Sequence, residues 1–231
     1  MLPSGNFLLI PEQGLEHAQL FELGDGEPDY CTNCLVAIPY SEPRIRQPQP
    51  VFYRIRESKR INCSALPRIK NTPEFIAKTR KEDYIKNVSS LLSHIQRGNI
   101  YEINYCMKFS SATEIDPLSA FLELCAASKA PYQFLARLNH QYILCASPEL
   151  FLKKSARELI TKPIKGTISR GATPGEDERL KNELSNSPKD RSENIMAIDV
   201  ARNDLSIVAA KGSVVVNSLC HIEWSTGRFV E

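Results

Sequence analysis

An α+β fold is what this sequence predicts, on three observations. Residues 1–74 carry short apolar runs, FLLI, CLVAIPY and VFYRI, broken by the turn-prone clusters GDGEPD and SEPRIRQPQP, a pattern of strands joined by turns. Further strand-like runs follow between residues 100 and 169, two of them meeting at the turn-prone pair Asn139-His140. Between and after them, segments repeat apolar residues at helical spacing behind clear start or stop signals. Strands interspersed with helices in this way imply an α+β arrangement.

Each element has its own local reason. Over residues 81–97 the apolar positions Ile85, Val88, Leu91, Leu92 and Ile95 recur at helical spacing, and Gly98 supplies a stop. The next stretch, IYEINYCMKF, alternates, with Tyr101, Ile103, Tyr105, Met107 and Phe109 on one face and Glu102, Asn104, Cys106 and Lys108 on the other; period two predicts a strand with one buried face. PLSAFLELCAAS reads as a short helix, and QFLARL with QYILCASPELFLKK as a hairpin. Residues 159–169 read as a further strand carrying Lys165, followed by the polar RGATPGEDER and a helix around Glu178 to Leu184. Ser187 ahead of Pro188 is an N-cap followed by a first-turn proline, and Ile195, Ile198, Val200 and Leu205 continue that helix. The ending KGSVVVNSLCHIEWSTGRFVE begins as a strand and has no closing element, so the sequence reads as cut short.

Composition narrows the function classes. At 231 residues with 42% apolar content the chain can bury a substantial core. Lys and Arg exceed Asp and Glu by only two, 29 against 27, so no strong global field favours nucleic acid or an anionic membrane. FLLI is too short for a secretory leader and no apolar run approaches a membrane span, which predicts a cytoplasmic protein. The seven cysteines lie mostly in apolar runs, as reduced thiols do. Cys31 and Cys34 form a C-x-x-C without the second pair a zinc ribbon needs or the βαβ setting of a redox motif.

Four polar groups interrupt their surroundings: Glu102 in the alternating run, Glu149 after Ser147-Pro148, Lys165 between Pro163-Ile164 and Gly166-Thr167, and Glu193 in KDRSEN. Singly, each has a plain reading. Glu102 fits a solvated strand face, Glu149 a bulge beside a strand proline, Lys165 a surface turn, and the KDRSE run a solvated helix start.

Together they are more specific. GNIYEINYCMKF, ASPELFL, PIKGTISRG and SPKDRSENIMAIDVARNDLS, in that order, resemble the motif series of the chorismate-utilising enzymes over roughly residues 75 to 218. The resemblance implies that family's fold, large antiparallel sheets flanked by helices with the site between them. It divides the chain into an N-terminal strand-rich part, 1–74, and a partial chorismate-binding domain, 75–231. Anthranilate synthases of the family typically read Pro-Ile-Ala-Gly-Thr, whereas aminodeoxychorismate synthases carry lysine at the third position, as PIKGT does here.

On that resemblance Lys165 is the nucleophile that adds to C2 of chorismate, and such a lysine must be largely deprotonated, which desolvation or nearby positive charge can arrange. Glu149 corresponds to the general acid/base, and Glu193 to a ligand of the Mg²⁺ that binds the ring carboxylate. Glu102 stands where relatives carry glutamine or a catalytic lysine and reads as a wall of the substrate site, with Gly166 and Thr167 shaping the backbone beside substrate. Asp190, Arg191, Arg202, Asn203 and Asp204 read as polar contacts of the helix. The implied reaction converts chorismate and ammonia, the latter from a glutamine amidotransferase subunit, to 4-amino-4-deoxychorismate for the 4-aminobenzoate branch of folate synthesis. Anthranilate synthesis and a non-catalytic lobe are the alternatives. The family's Gly-x-x-Thr-Gly-Ala-Pro-Lys segment, second magnesium-binding glutamate and Arg-x-x-Tyr-x-Gly stretch have no counterpart in this sequence, and the tail after Cys220 departs from the family pattern.

Overall fold

The computed structural model describes residues 2–25, 34–37, 50–64, 73–225 and 228–230. By its internal contacts the chain forms two compact units, one of residues 1–67 with 121–231 and one of residues 68–120.

The larger unit is organised on β1 (Phe7–Pro11), the FLLIP run, which pairs antiparallel on both sides. One neighbour is β2 (His17–Asp25), the other β7 (Tyr132–Leu138), and the sheet is completed by β3 (Cys34–Ala37), β4 (Val51–Asn62) and β8 (Gln141–Ser147) in the order β3-β4-β2-β1-β7-β8. Every ladder in it is antiparallel. Register explains the burial. Leu9 lies opposite both Leu20 and Leu135, and all three are 0% exposed. The opposite face gathers Leu23, Tyr53, Ala136 and Leu138, with Leu8, Phe21 and Phe134 packed against them. Side chains alternate across a strand, so one register places both sets at once.

The β7–β8 turn is as the sequence reading has it. Asn139 and His140 adopt φ of 47° and 69°, the two positive values of a tight hairpin turn, and Asn139 is further held by Asn6, whose Oδ1 accepts its N–H at 2.9 Å. The run QYILCASPELFLKK is two strands rather than one: β8 stops at Ser147 and β9 (Leu150–Ser155) starts after Pro148 and Glu149, because proline brings no N–H to a ladder. β9 pairs with β10 (Glu158–Lys162).

In the smaller unit, β5 (Ile76–Ala77) pairs with β6 (Phe109–Ser110), and α1 (Lys81–Gln96) lies between them in sequence. Glu82 and Asp83 in its first turn suit the helix dipole. Gly98, at φ 71°, closes it by donating to the Ile95 carbonyl. The expected strand over IYEINYCMKF is a correction: only Phe109–Ser110 pairs, and residues 101–108 are irregular. Alternation alone does not make a strand, because unpaired backbone gains nothing from being extended. The apolar members Tyr101, Ile103, Met107 and Phe109 are exposed rather than buried. What holds the stretch is local: Tyr105 accepts a 2.7 Å hydrogen bond from Asn87 and stacks beside Tyr84.

α2 (Pro117–Ser128) is the predicted short helix, with Phe121 and Cys125 fully buried one turn apart. Burial pushes the Cys125 thiol up to about 12, so it stays protonated and unreactive at neutral pH. Cys34, Cys63, Cys106, Cys125 and Cys145 are free thiols, while Cys31, and with it the C-x-x-C pair, lies outside the described residues. No helix among the described residues is long and apolar enough to cross a membrane. The predicted strand at KGSVVV is absent, with Val215 and Val216 exposed in irregular backbone.

Leu9→Ala should lower unfolding stability by about 2–5 kcal/mol, the range for deleting a fully buried leucine. Ile10→Ala, at a 41% exposed position next to it, should cost about 1 kcal/mol or less. Urea denaturation followed by circular dichroism compares the two.

Candidate active site

The 159–169 segment is broken where Lys165 sits, a further correction. β10 ends at Lys162, opposite Leu150 of β9, and a new strand, β11 (Thr167–Ser169), begins after four intervening residues. Pro163 cannot donate to the ladder, and Gly166 takes φ 78°, so the chain turns away between them. Lys165 is therefore carried half-buried on a short loop, not on a strand.

Two contacts fix that loop. The first is from Glu149. Ile164 N–H donates to Glu149 Oε1 at 3.0 Å, so a side-chain carboxylate takes over one residue past the last ladder pair. Such bonds to a carboxylate are stronger than neutral ones. Glu149 itself is steadied by Ser147, whose hydroxyl accepts its N–H and donates to its carbonyl, both at 3.2 Å. The second contact is at Gly166, where a β-carbon would come within 2.9 Å of the Asp190 side chain and 3.2 Å of Leu184. Backbone thus rests directly on two helices, α3 (Pro174–Ser185) and α4 (Pro188–Val208).

α3 ends and α4 begins at this place, and both helices start for reasons legible in the residues. Thr173 caps α3 by accepting from Glu176 N–H, and Ser187 caps α4 by accepting from Asp190 N–H, each with proline in the first turn. The Asp190 carboxylate accepts from the Ser187 hydroxyl in return. Upstream of α3, Arg170 pairs with Asp177, which also accepts from Gly171 N–H at 2.7 Å. Hydrogen bonding to the Arg170 guanidinium holds the Asp177 carboxyl below the usual carboxylate range.

Glu193 follows one turn after Asp190 on α4, half-buried, with Lys189 Nζ 3.6 Å from its carboxylate. It offers a magnesium ion one hard oxygen donor. Among the described residues no cluster of three or more His, Cys, Asp or Glu side chains could hold a metal, so Glu193 would be one carboxylate ligand of an ion that draws its other oxygens from elsewhere. Within the larger unit, then, Glu149, Lys165, Gly166 and the first turns of α4 adjoin one another. Thr167 opens β11, exposed. Glu102 belongs to the smaller unit, exposed in the irregular stretch before β6. Of the helix residues singled out in the sequence, Asp190 bonds Ser187 and Arg202 bonds Asp199 at 2.7 Å.

Residues 228–230 carry a role that sequence reasoning missed. The tail supplies β12 (Glu223–Ser225) and β13 (Arg228–Val230), and β13 pairs with both β12 and β11. Period-two patterning cannot reveal a three-residue strand; its only signal was the turn-prone Thr226-Gly227 between two short apolar groups.

The model of the chorismate binding enzymes matches residues 35–226. The chain belongs to this family. It is 36% identical over 152 residues to aminodeoxychorismate synthase component 1 of Klebsiella aerogenes, covering 66% of this chain and 34% of that protein. To anthranilate synthase component 1 of Thermus thermophilus it is 34% identical over 149 residues, covering 64% of the chain and 32% of that protein. The chain thus aligns with about a third of the length of these curated relatives. Among solved structures, anthranilate synthase component I from Streptococcus pneumoniae superposes with a TM-score of 0.68 at 14% identity, over 100% of this chain and 67% of that one, which establishes the α+β chorismate-binding fold. The two activities named among these relatives differ by two percentage points of identity, so overall similarity does not choose between them.

Gly166→Ala should destabilise the chain by about 1–3 kcal/mol, from positive φ and a β-carbon forced against Asp190. Gly212→Ala is the control, with similar φ but open space around it. Thermal melts of the two variants should separate the contact from the φ penalty.

Proposed function

We propose that this chain carries the nucleophile-bearing part of an aminodeoxychorismate synthase component 1. The observation that carries the reading is Lys165 in PIKGT, on a loop held to Glu149 by the Ile164 N–H bond. Supporting it, four relatives at 35–36% identity bear that name, and two chloroplastic relatives at 39% and 42% carry the name aminodeoxychorismate synthase.

The chemistry then runs in two allylic displacements. The Lys165 amine bonds to C2 of chorismate, both ring double bonds shift (C1=C2 to C1=C6 and C5=C6 to C4=C5), and the C4 hydroxyl departs as water with a proton delivered by Glu149. Ammonia next bonds to C4, both double bonds shift back, and the lysine amine leaves C2. The sum is chorismate plus ammonia giving 4-amino-4-deoxychorismate plus water. Hydroxide is a poor leaving group, so the proton is what makes the first step accessible. With one oxygen anchored to the loop backbone, Glu149 would have its second oxygen to carry that proton, and lysine and acid would keep a fixed separation. Magnesium, held in part by Glu193, would neutralise and orient the ring carboxylate. Glu102 would line the substrate site. Ammonia would come from a glutamine amidotransferase subunit.

Anthranilate formation is the second reading, favoured by the Thermus relative at 34% identity and opposed by lysine in place of alanine after Pro-Ile.

The test incubates the chain with chorismate, magnesium and excess ammonium, and identifies products by mass spectrometry. Aminodeoxychorismate should form, and Lys165→Ala should abolish it, a loss of about 10²-fold or more for removal of a covalent nucleophile. Glu149→Gln should lower kcat more than it raises KM, and Glu193→Gln should raise the magnesium concentration needed for half-maximal rate. Undiminished product from Lys165→Ala would reject the nucleophile. A folded chain that makes no product would leave it a non-catalytic lobe of the family.

A further inference from the structure

The Lys165 loop has two ends, and beyond the rest of Gly166 on Asp190 and Leu184 the strand that leaves its downstream end is held by the tail. Upstream, β10 is laddered to β9 and the loop is fastened by Glu149. Downstream, β11 has three residues, and its ladder partner among the described residues is β13: Thr167 lies opposite Val230, Ile168 opposite Phe229, Ser169 opposite Arg228. A three-residue strand has too few bonds to persist unpaired. β13 is the central strand of its sheet, flanked by β11 and β12, and Val230 is buried. The same tail reaches the other side of the loop, where Lys162 Nζ lies 3.3 Å from Glu223 of β12. The loop is thus bracketed by tail contacts at residue 162 and at residues 167–169. β13 starts at Arg228, beyond the matched family span, which ends at residue 226.

We infer that the tail strands β12 and β13 are positioning elements for Lys165, fixing the downstream end of its loop as Glu149 fixes the upstream end. The inference rests on Lys165 being the reactive amine. It concerns where the amine is held, so it can be read without turnover. If β13 is released, β11 loses its ladder, Gly166 is freed to move off Asp190 and Leu184, and the lysine samples more positions.

Two measurements test it. In the unaltered chain, amide hydrogen exchange at residues 167–169 and 228–230 should proceed as one cooperative unit, faster than at Leu135 in the main sheet. Strong protection of 167–169 while 228–230 exchanges freely would overturn the inference. In Phe229→Pro, which breaks the central strand, exchange at 167–169 should rise about tenfold. Acetylation of Lys165 by limiting acetic anhydride should change about threefold relative to Lys153 and Lys181. Phe229→Val, which keeps the backbone N–H, should restore both. Unchanged Lys165 labelling in a Phe229→Pro chain whose Leu135 exchange is intact would equally overturn it; should that variant not fold, the exchange pattern of the unaltered chain decides. Intact positioning with no aminodeoxychorismate formed would sink the catalytic reading alone.

Discussion

A missing hydrogen bond donor organises the candidate site. β9 and β10 zip together until Lys162 meets Leu150, and there Pro163 has no N–H to give. The next donor along, Ile164 N–H, is taken by the carboxylate of Glu149, a residue displaced from its own strand by Pro148. Two prolines, one ending each strand of the hairpin, thereby set a lysine loop and a carboxylate side by side. Everything else around the loop is arranged to keep that outcome fixed. Gly166 supplies the positive φ and the bare backbone that lets the loop rest on α3 and α4. α3 meets the loop with its last turn, at Leu184, Ser187 starts α4 where it meets it, and β13 ties down the far side.

Much of this was legible in the residues. Helices with a cap and a stop were readable because the signals are local: Ser187-Pro188 at one start, Gly98 at one end. The hairpin at Asn139-His140 was readable for the same reason, the turn needing residues that tolerate positive φ. The motif order located Glu149, Lys165 and Glu193 on the chain, and the structure brings Glu149 to the Lys165 loop and the start of the Glu193 helix against Gly166.

What the sequence could not supply depends on partners distant along the chain. IYEINYCMKF alternates as well as any strand here, yet only its last residue, Phe109, finds a ladder. The segment around Lys165 has strand-like apolarity on both sides of a break that is visible only once β9 is seen to run out opposite Lys162. RFV in the tail is too short to register as a period, and its place next to TIS comes from pairing between residues about sixty positions apart. The strongly exposed Tyr101 and Phe151, 89% and 88%, make the same point from the other side, since apolar character alone does not decide burial.

The family is established by a match running through most of the chain, and in the function proposed for the chain the residue after Pro-Ile carries the choice of reaction. The most direct test of that choice is to trap the covalent step. The chain would be incubated with chorismate and magnesium without ammonia, quenched, digested, and its lysine peptides mapped by mass spectrometry. The account expects the peptide containing Lys165 to gain the mass of chorismate less one water, with other lysines unmodified and the adduct absent in Glu149→Gln. A chain that converts chorismate when ammonia is supplied, yet never carries an adduct on Lys165, would contradict it.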